Sequence, residues 1–286
     1  MAALLDQVDL LILYLNSPLS SEDAASFTAL AEPDRLLFLG DGSNRGLGVA
    51  YNAMAELARA REARHLLLLD QDSSPTIDLL PGLVDAFRRL MDAGKTVATV
   101  GPAIQTLTGE AHQPPRPPRP SPGPIPGILP AEAVISSGSL ISMDALSAVG
   151  PFRDDFFIDM IDTEWSLRAW TRGYGTWMTE RVSMRHALGG GTVRAFGSTI
   201  VLHSPARLYT AIRNQTAMLR LRHVPWRWRA IFLASLPLRV LAYLRHAPAR
   251  HATLKAIWLG IFDGVRGKLG DPQHRWREFE RSERKM

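Results

Sequence analysis

The chain has 286 residues, 46% of them hydrophobic and 21% charged, which is enough for one or two folded domains and excludes a disordered chain. It contains no cysteine, which excludes disulfides, thiolate nucleophiles and cysteine-ligated metals. The net charge of +5 is unevenly divided, because residues 205–286 carry 17 Lys and Arg against 5 Asp and Glu, whereas residues 1–204 carry 16 against 23.

The first two-thirds of the chain alternates short apolar runs with helical patterns, which is typical of an α/β fold with a mostly parallel sheet. The predicted strands are Leu10–Leu15, Arg35–Leu39, His65–Leu69, Lys95–Val100, Val134–Ile141 and Thr176–Arg185. The predicted helices in this part are Gly46–Arg59, Leu79–Ala93 and Asp162–Arg172. From residue 205 onward the pattern is helical and rich in Arg and Trp, so we expect one region at 1–204 and a second at 205–286.

Three segments bear on location and on loops. Nine prolines fall between Gln113 and Pro130, which excludes a helix or a central strand and leaves either a surface loop or the wall of a substrate cleft. The start of the sequence lacks the basic residues of a secretory signal, so we expect a cytoplasmic protein. Ala230–Leu244 is about 15 residues long and is interrupted by Pro237 and Arg239, against the roughly 20 apolar residues of a spanning helix, so it is able to lie on a bilayer but not to cross one.

Two carboxylates follow the third predicted strand, in the segment Asp70-Gln71-Asp72. In open α/β sheets, ligands bind at the carboxyl ends of the strands. Oxygen ligands of this kind suit Mg²⁺ or Mn²⁺, which in turn bind phosphates. The alternative is a solvated turn, for which Ser73-Ser74-Pro75 is well suited.

A second acidic group lies among aromatic residues at the start of the last predicted helix of this part. It comprises Asp155, Asp159, Asp162 and Glu164. One of these carboxylates would suffice as a helix cap. Alternatively, a carboxylate shielded by neighbouring rings would serve as a general base toward an alcohol.

His186 and a glycine-containing segment are weaker signals. His186 ends a predicted strand before three glycines, where it is either a structural residue or a metal ligand. The segment from Asn44 to Asn52 joins a strand to a helix, but Tyr51 stands where the dinucleotide fingerprint requires its third glycine.

Five motifs, in this order and spacing, resemble the inverting GT-A glycosyltransferases of family 2, and above all the bacterial rhamnosyltransferases of O-antigen and cell-surface polysaccharide synthesis. They are N-R-G-L-G-V-A-Y-N, L-L-L-L-D-Q-D-S, S-S-G-S-L-I, F-F-I-D-M-I-D-T-E-W-S-L-R-A-W and H-A-L-G-G-G. The likeness continues through R-L-Y-T-A-I-R-N and G-I-F-D-G-V-R-G-K-L-G. It implies a GT-A fold, Rossmann-like with a mostly parallel sheet between helices, and a basic α-helical C-terminal extension.

The resemblance also implies roles for single residues. Asp162 matches the catalytic base, while Asp70, Asp72 and His186 match a site for Mg²⁺ or Mn²⁺. The expected contacts to the nucleotide sugar come from Asn16, Asn44, Asp70 and Gln71. Residues expected on the acceptor side or in support are Asp159, Glu164, Trp165 and Arg168. The implied donor is a nucleotide sugar, with dTDP-rhamnose favoured, and the implied acceptor is a glycan or a lipid-linked glycan.

Two departures from the family pattern stand out. Ile161 replaces the Glu that usually precedes the base, so the base is either Asp162, displaced to Asp159, or helped by Glu164. Leu10–Leu15 with Asn16 lies about 54 residues before Asp70, the spacing of the family's second strand, and the first strand then has no counterpart. Either the family's first strand is absent here or the segment between the strands is shortened.

The basic residues and tryptophans of 205–286 allow three interpretations, namely helical packing, an anionic membrane surface or a nucleic acid. A lipid-linked acceptor favours the membrane, so we expect a peripheral protein on the inner face of the plasma membrane. Two other functions remain open: a different nucleotide-dependent transferase, such as a nucleotidyltransferase, and a non-catalytic membrane scaffold.

Overall fold

The structure is a computed structural model. It describes residues 5–29, 32, 34–71, 73–105, 111–112, 125–186, 191–195, 198–247 and 249–283. The strands in these residues are β1 (Leu11–Tyr14), β2 (Leu36–Leu39), β3 (His65–Leu68), β4 (Ser73–Ser74), β5 (Val97–Gln105), β6 (Ala111–His112), β7 (Ile128–Ala131), β8 (Ser139–Ser142), β9 (Gly175–His186), β10 (Gly191–Ala195) and β11 (Ser198–Leu202).

Nine α-helices lie in the same described residues. They are α1 (Ser21–Thr28), α2 (Leu47–Ala60), α3 (Leu79–Asp92), α4 (Met143–Val149), α5 (Ile161–Thr171), α6 (Pro205–Met218), α7 (Trp226–His246), α8 (Arg250–Arg266) and α9 (Gln273–Glu283). In these parts of the chain no helix has both the length and the apolar character to span a membrane.

The central sheet has seven strands in the order β3-β8-β5-β9-β4, with β6 paired to β5 and β7 paired to β9. Its strands run in mixed directions, so the expectation of a mostly parallel sheet is wrong in this detail. Within the described ladders of this sheet only β5 and β9 are parallel. The sequence did not reveal this because the two antiparallel neighbours of β8, β3 and β5, are far from it along the chain.

The first two strands stand apart from that sheet. Strand β1 pairs with β2 in parallel, Leu11 opposite Leu36, and together they form a two-stranded sheet. Helix α1 connects them and begins at Ser20, whose hydroxyl accepts a hydrogen bond from the Asp23 N–H at 3.0 Å. In the described residues, β3 pairs with β8 and not with β1.

Helices cover both faces of the central sheet. Helix α3 buries one stripe of apolar side chains, Leu79, Leu83, Phe87 and Leu90. On one face of the sheet this stripe packs with Trp177 and with apolar residues of β5. On the other face α2, α4 and α5 share a second core with Ala98 and Ile141. Each fully buried Leu or Phe contributes about 1.5–3 kcal/mol to folding, so both layers fix the strand ends that carry the site.

The C-terminal helices pack directly on this second core. Ala217 and Met218 of α6, Val224 and Trp228 belong to the same buried cluster as α2 and α5. The indole N–H of Trp228 also donates to Glu132 at 2.6 Å. Every described element after residue 205 is a helix, as predicted, but the hydrophobic core is continuous across residue 204.

Most predicted elements are confirmed to within a few residues, and the proline-rich segment is partly described. Residues 113–124 lie outside the described part of the chain. Strand β7 includes Pro130 and pairs with β9 at an edge of the sheet, where the missing proline N–H is tolerated. The exclusion of a central strand therefore holds for the described residues of this segment, and the edge strand was not predicted.

Candidate active site

The site lies where β3 ends, against the turn that leads into β8. Asp70 follows β3, and its backbone N–H donates to Oγ of Ser137 at 3.3 Å. The Gly138 N–H donates to the carbonyl of Leu68 at 2.7 Å. Gly138 has φ +81°, and a Cβ there would approach Met184 and Pro102 to 3.0 Å, so the turn requires glycine. This turn fixes the direction in which the chain leaves β3.

Asp162 lies at the start of α5 and faces the same turn. Its Oδ2 accepts a hydrogen bond from the Ser136 N–H at 3.2 Å, and its Oδ1 accepts from the Thr163 N–H at 2.7 Å. Burial raises the pKa of Asp162 above its usual range, and the charge of Asp159 acts in the same direction. The hydrogen bonds from Thr163 and Ser136 offset part of this increase.

Tyr51 of α2 lies between the two predicted carboxylates. Its hydroxyl is 2.9 Å from Oγ of Ser136, the residue whose N–H binds Asp162. Burial raises the pKa of Tyr51, and the negative charges of Asp70 and Asp162 raise it further. The structure thus brings Asp70 and Asp162 to one edge around a buried phenol. The sequence marks Tyr51 only as a departure from the dinucleotide fingerprint, and its position beside these carboxylates was not predicted.

Two of the predicted metal ligands lie wholly or partly outside the described residues. Asp72 lies outside the described residues, and of His186 the backbone is described. That backbone pairs with Ser73 in the antiparallel ladder of β4 and β9. The ladder therefore places the backbone of His186 next to Ser73, three residues after Asp70. Among the described residues, no three His, Asp or Glu side chains form a cluster that could hold a metal.

The predicted nucleotide-side residues lie around the loop between β2 and α2. Oδ1 of Asn16 accepts a hydrogen bond from the Arg45 N–H at 3.0 Å, and Oδ1 of Asn44 accepts one from the Gly46 N–H at 3.1 Å. Asn44 is exposed, and its carbonyl accepts from the Gln273 amide at 2.8 Å. Gln71 is exposed just beyond β3. Asn16 and Asn44 thus shape this loop in addition to any contact with a ligand.

This loop packs closely on the acidic segment. Gly46 has φ +87°, and a Cβ there would lie 2.7 Å from the ring of Phe157. A Cβ at Gly48 would lie 2.6 Å from the carbonyl oxygen of Arg153. Asn52 exchanges two hydrogen bonds of 2.9 Å with the backbone of Phe152. The start of α2 and the segment before α5 are therefore in contact at three points between Gly46 and Asn52.

The residues just before α5 have an unusual backbone. Phe157, Asp159 and Met160 all have positive φ values, between 66° and 67°. The amide of Asn214 holds this segment by donating to the carbonyls of Phe156, Ile158 and Asp159 at 2.7–3.0 Å. The neighbouring Arg213 also donates to the Phe156 carbonyl, at 3.1 Å.

The role of Arg213 and Asn214 was not predicted from the sequence, because they lie more than 50 residues from the segment that they hold. The available signal was the R-N pair of the R-L-Y-T-A-I-R-N motif. Both side chains are buried and bind backbone carbonyls of this segment. The carboxylate of Asp159 has a different partner. Oδ1 of Asp159 lies 3.1 Å from the guanidinium of Arg207.

Of the remaining predicted residues on α5, Glu164 and Arg168 lie on the opposite side of the helix from Asp162, whereas Trp165 lines a small pocket beside it. Glu164 is 1% exposed and lies 3.0 Å from Arg168 and 2.8 Å from His223. Burial tends to raise the pKa of Glu164, but the contacts with His223 and Arg168 outweigh it and the pKa lies below its usual range. The buried Trp165 donates to the Gly150 carbonyl at 2.9 Å. These three residues anchor α5 in the fold.

Comparisons with known proteins were made by sequence and by structure. No family model matches the chain. Over 147 residues it is 34% identical to dTDP-rhamnosyl transferase RfbF of Shigella flexneri, which covers 49% of this chain and 47% of that protein. The chain thus matches about half the length of this curated relative.

Solved structures match over nearly the whole chain. Staphylococcus aureus TarS 1-349 is 11% identical and superimposes with a TM-score of 0.55, covering 90% of this chain and 71% of that one. The fold is that of the GT-A glycosyltransferases. GalNAc-T7, solved with UDP, GalNAc and Mn²⁺, is 12% identical with a TM-score of 0.54 over 90% of this chain and 50% of that one. The GT-A fold, including the helical C-terminal region, is therefore confirmed, and the resemblance to rhamnosyltransferases extends over half the chain.

Proposed function

We propose that this protein is an inverting glycosyltransferase that moves a sugar from a nucleotide sugar to a hydroxyl group of a glycan or lipid-linked acceptor. The observation that carries the proposal is the meeting of Asp70 and Asp162 at one edge of the sheet, around Tyr51 and Ser136. The GT-A fold and the relative named as a dTDP-rhamnosyl transferase support the same reaction class.

The donor proposed is dTDP-rhamnose. The support is the relative RfbF, which is named as a dTDP-rhamnosyl transferase. The fold alone does not select this donor, because TarS, with the same fold, is known in complex with UDP-GlcNAc. Asn16, Asn44 and Gln71 surround the loop after β2 and the end of β3, where a nucleotide sugar reaching Asp70 would lie. Their amide groups offer both donors and acceptors to a base or a ribose.

The residues present fit a divalent cation next to the donor. Asp70, Asp72 and His186 supply oxygen and nitrogen donors of the kind that Mn²⁺ or Mg²⁺ binds. The pairing of Ser73 with His186 supports this set, because Ser73 is three residues after Asp70 and follows Asp72 directly in the sequence. When bound, the ion supplies positive charge that neutralises the departing nucleoside diphosphate.

Asp162 is the proposed general base. The acceptor oxygen forms a bond to the anomeric carbon, the bond from that carbon to the nucleoside diphosphate breaks, and the hydroxyl proton passes to Asp162. Burial raises the pKa of this carboxylate, which makes it a stronger proton acceptor than a solvated aspartate. Asp159 and Glu164 are less suited, because each lies in an ion pair with an arginine. A single displacement of this kind inverts the configuration of the sugar.

The direct test is a screen of dTDP-rhamnose, UDP-sugars and GDP-sugars, with and without Mn²⁺, that measures release of nucleoside diphosphate. We expect release from one donor class only in the presence of metal. Asp70→Asn should lower this release at least tenfold, while Asp78→Asn, at an exposed position before α3, should leave it unchanged.

Two other outcomes would refute the proposal. Release of pyrophosphate from nucleoside triphosphates would indicate a nucleotidyltransferase. No turnover, together with no protection from thermal unfolding by dTDP or UDP with Mn²⁺, would indicate a scaffold without catalytic function.

A further part of the proposal concerns location. The basic helical region at 205–286 supports action on lipid-linked acceptors at the inner face of a bacterial plasma membrane, in the synthesis of a surface polysaccharide. Nucleic acid is disfavoured as a partner, because the exposed residues of α7 are largely apolar.

A further inference from the structure

Helix α7 carries apolar side chains on its exposed side as well as on its buried side, where Phe232, Leu236 and Val240 pack against the core. A surface helix of a globular protein normally turns its apolar stripe to the core and its charges to water. In α7 every exposed side chain between residues 230 and 241 is apolar. We call this set the outer face, and its members are Ala230, Ile231, Leu233, Ala234, Pro237, Leu238 and Leu241.

The polar residues of the same stretch are not among the exposed ones. Arg239 donates to Oε1 of Gln215 on α6, and the hydroxyl of Ser235 donates to the Phe232 carbonyl at 3.1 Å. On the outer face Leu233 is 58% exposed and Leu241 is 52% exposed. A contiguous row of exposed aliphatic side chains over three turns marks an interaction surface.

The charges around this face identify its partner. Residues 181–262 contain 13 Lys and Arg and no Asp or Glu. Exposed basic residues flank the outer face at both ends, with Arg222 before α7 and Arg245 and Arg250 after its apolar stretch. An aliphatic face bordered by positive charge, with no carboxylate nearby in the sequence, is complementary to a surface with an apolar interior and anionic head groups.

We propose that the outer face of α7 docks on an anionic lipid bilayer, with the helix axis parallel to the membrane plane. The aliphatic side chains enter the boundary between head groups and acyl chains, and the flanking arginines contact anionic head groups. A second copy of the chain fits less well, because two such faces would bring their arginines together.

The opposite side of α7 faces the segment that precedes the proposed base. The charge of Asp159 acts on Arg239, and Arg207 at the start of α6 forms an ion pair with the same Asp159. One helix, about 10 Å in diameter, therefore separates the docked surface from this segment. If the proposed function is correct, a lipid-linked acceptor would enter from this side.

The docking surface is tested by vesicle sedimentation of the full chain, without any substrate. Leu233→Gln/Leu241→Gln should weaken binding to vesicles of phosphatidylcholine mixed with phosphatidylglycerol at least tenfold. The matched control is Val84→Gln/Met91→Gln, because these two residues of α3 are 45% and 55% exposed and lie a similar distance apart along a helix. The control should bind as the unchanged chain does, and equal loss in both variants would overturn the proposal.

A charge variant tests the second part. Arg245→Gln should weaken binding to the anionic vesicles about fivefold and leave the weak binding to pure phosphatidylcholine unchanged. Arg61→Gln, at an exposed arginine after α2, is its control and should have no effect.

Light scattering tests whether the outer face binds a second copy of the chain instead of a bilayer. If the outer face joins two copies, the unchanged chain will be a dimer that the leucine variants convert to a monomer, with vesicle binding unaffected, and the proposal will be wrong. Because vesicle binding is measured without donor or acceptor, its failure is distinguishable from failure of the transferase assay.

Discussion

Two carboxylates on helix α5 have opposite surroundings, although they are two residues apart. Asp162 receives hydrogen bonds from backbone N–H groups of Ser136 and Thr163, and its pKa is raised by burial. Glu164 lies between Arg168 and His223, and its pKa is lowered by these partners. The pairing of a carboxylate with cations stabilises its charge and lowers its basicity, whereas burial without a cation preserves basicity. One face of α5 thus suits proton transfer and the other suits structural support.

The largest expected effect follows replacement of Asp162. Asp162→Asn should lower kcat by about 10²–10⁴-fold, because an amide cannot take up the proton that the hydroxyl group of the acceptor releases. Donor affinity should change little, and isothermal titration with dTDP and Mn²⁺ measures it. Normal turnover by this variant would show that the base is another residue.

The pH dependence of the rate should separate the two faces. Because the pKa of Asp162 is raised, its protonation on lowering the pH should begin above the usual range of an aspartate, and the rate should then fall about tenfold per pH unit. Because the pKa of Glu164 is lowered, its stabilising contribution persists to lower pH and is lost only as the pH falls through that depressed value. Activity should therefore be lost while tryptophan fluorescence still reports a folded chain. Simultaneous loss of rate and fold would contradict the assignment.

A smaller effect, on stability and not on rate, is expected at Glu164. Glu164→Gln should lower the free energy of unfolding by about 1–3 kcal/mol, because it leaves the largely buried Arg168 without its carboxylate. At a temperature where the variant is folded, kcat should remain within about twofold. Urea denaturation and the nucleoside diphosphate assay measure the two quantities, and a stable but inactive variant would place Glu164 in the chemistry.

The smallest effect on stability is expected at Tyr51. Tyr51→Phe removes the hydrogen bond to Ser136 and should cost about 0.5–1.5 kcal/mol of stability. Since Ser136 also binds Asp162 through its N–H, the variant should lower kcat a few-fold. Ser147→Ala is a useful control, because that hydroxyl bonds only locally, to the Met143 carbonyl at 2.9 Å. Equal rate losses in both variants would indicate a general effect of stability.

Much of the fold was predictable from local patterns. The four leucines before Asp70 predict β3, and the stripe of Leu79, Leu83 and Leu90 predicts α3. The rule that ligands bind at strand ends directed attention to Asp70, which does lie at the edge that Asp162 faces. These inferences use information within about fifteen residues of each position.

What escaped prediction depends on contacts between distant parts of the chain. The antiparallel strands β7 and β8, the position of Tyr51 and the hold of Asn214 on the segment before α5 all join residues more than 40 positions apart. Helix α1 was missed because it buries no side chain and so has no apolar stripe, although its Ser20 cap and the acidic first turn were visible.

The close packing of Gly46 and Gly48 on the acidic segment has a thermodynamic consequence. Since no side chain separates the loop of Asn44 from Phe157 and Arg153, a donor that orders this loop also restricts the backbone that positions Asp159 and Asp162. The entropic cost of ordering that backbone is then incurred when the donor binds, and the acceptor does not incur the same cost again. Donor and acceptor should accordingly bind with positive cooperativity, each raising the affinity for the other.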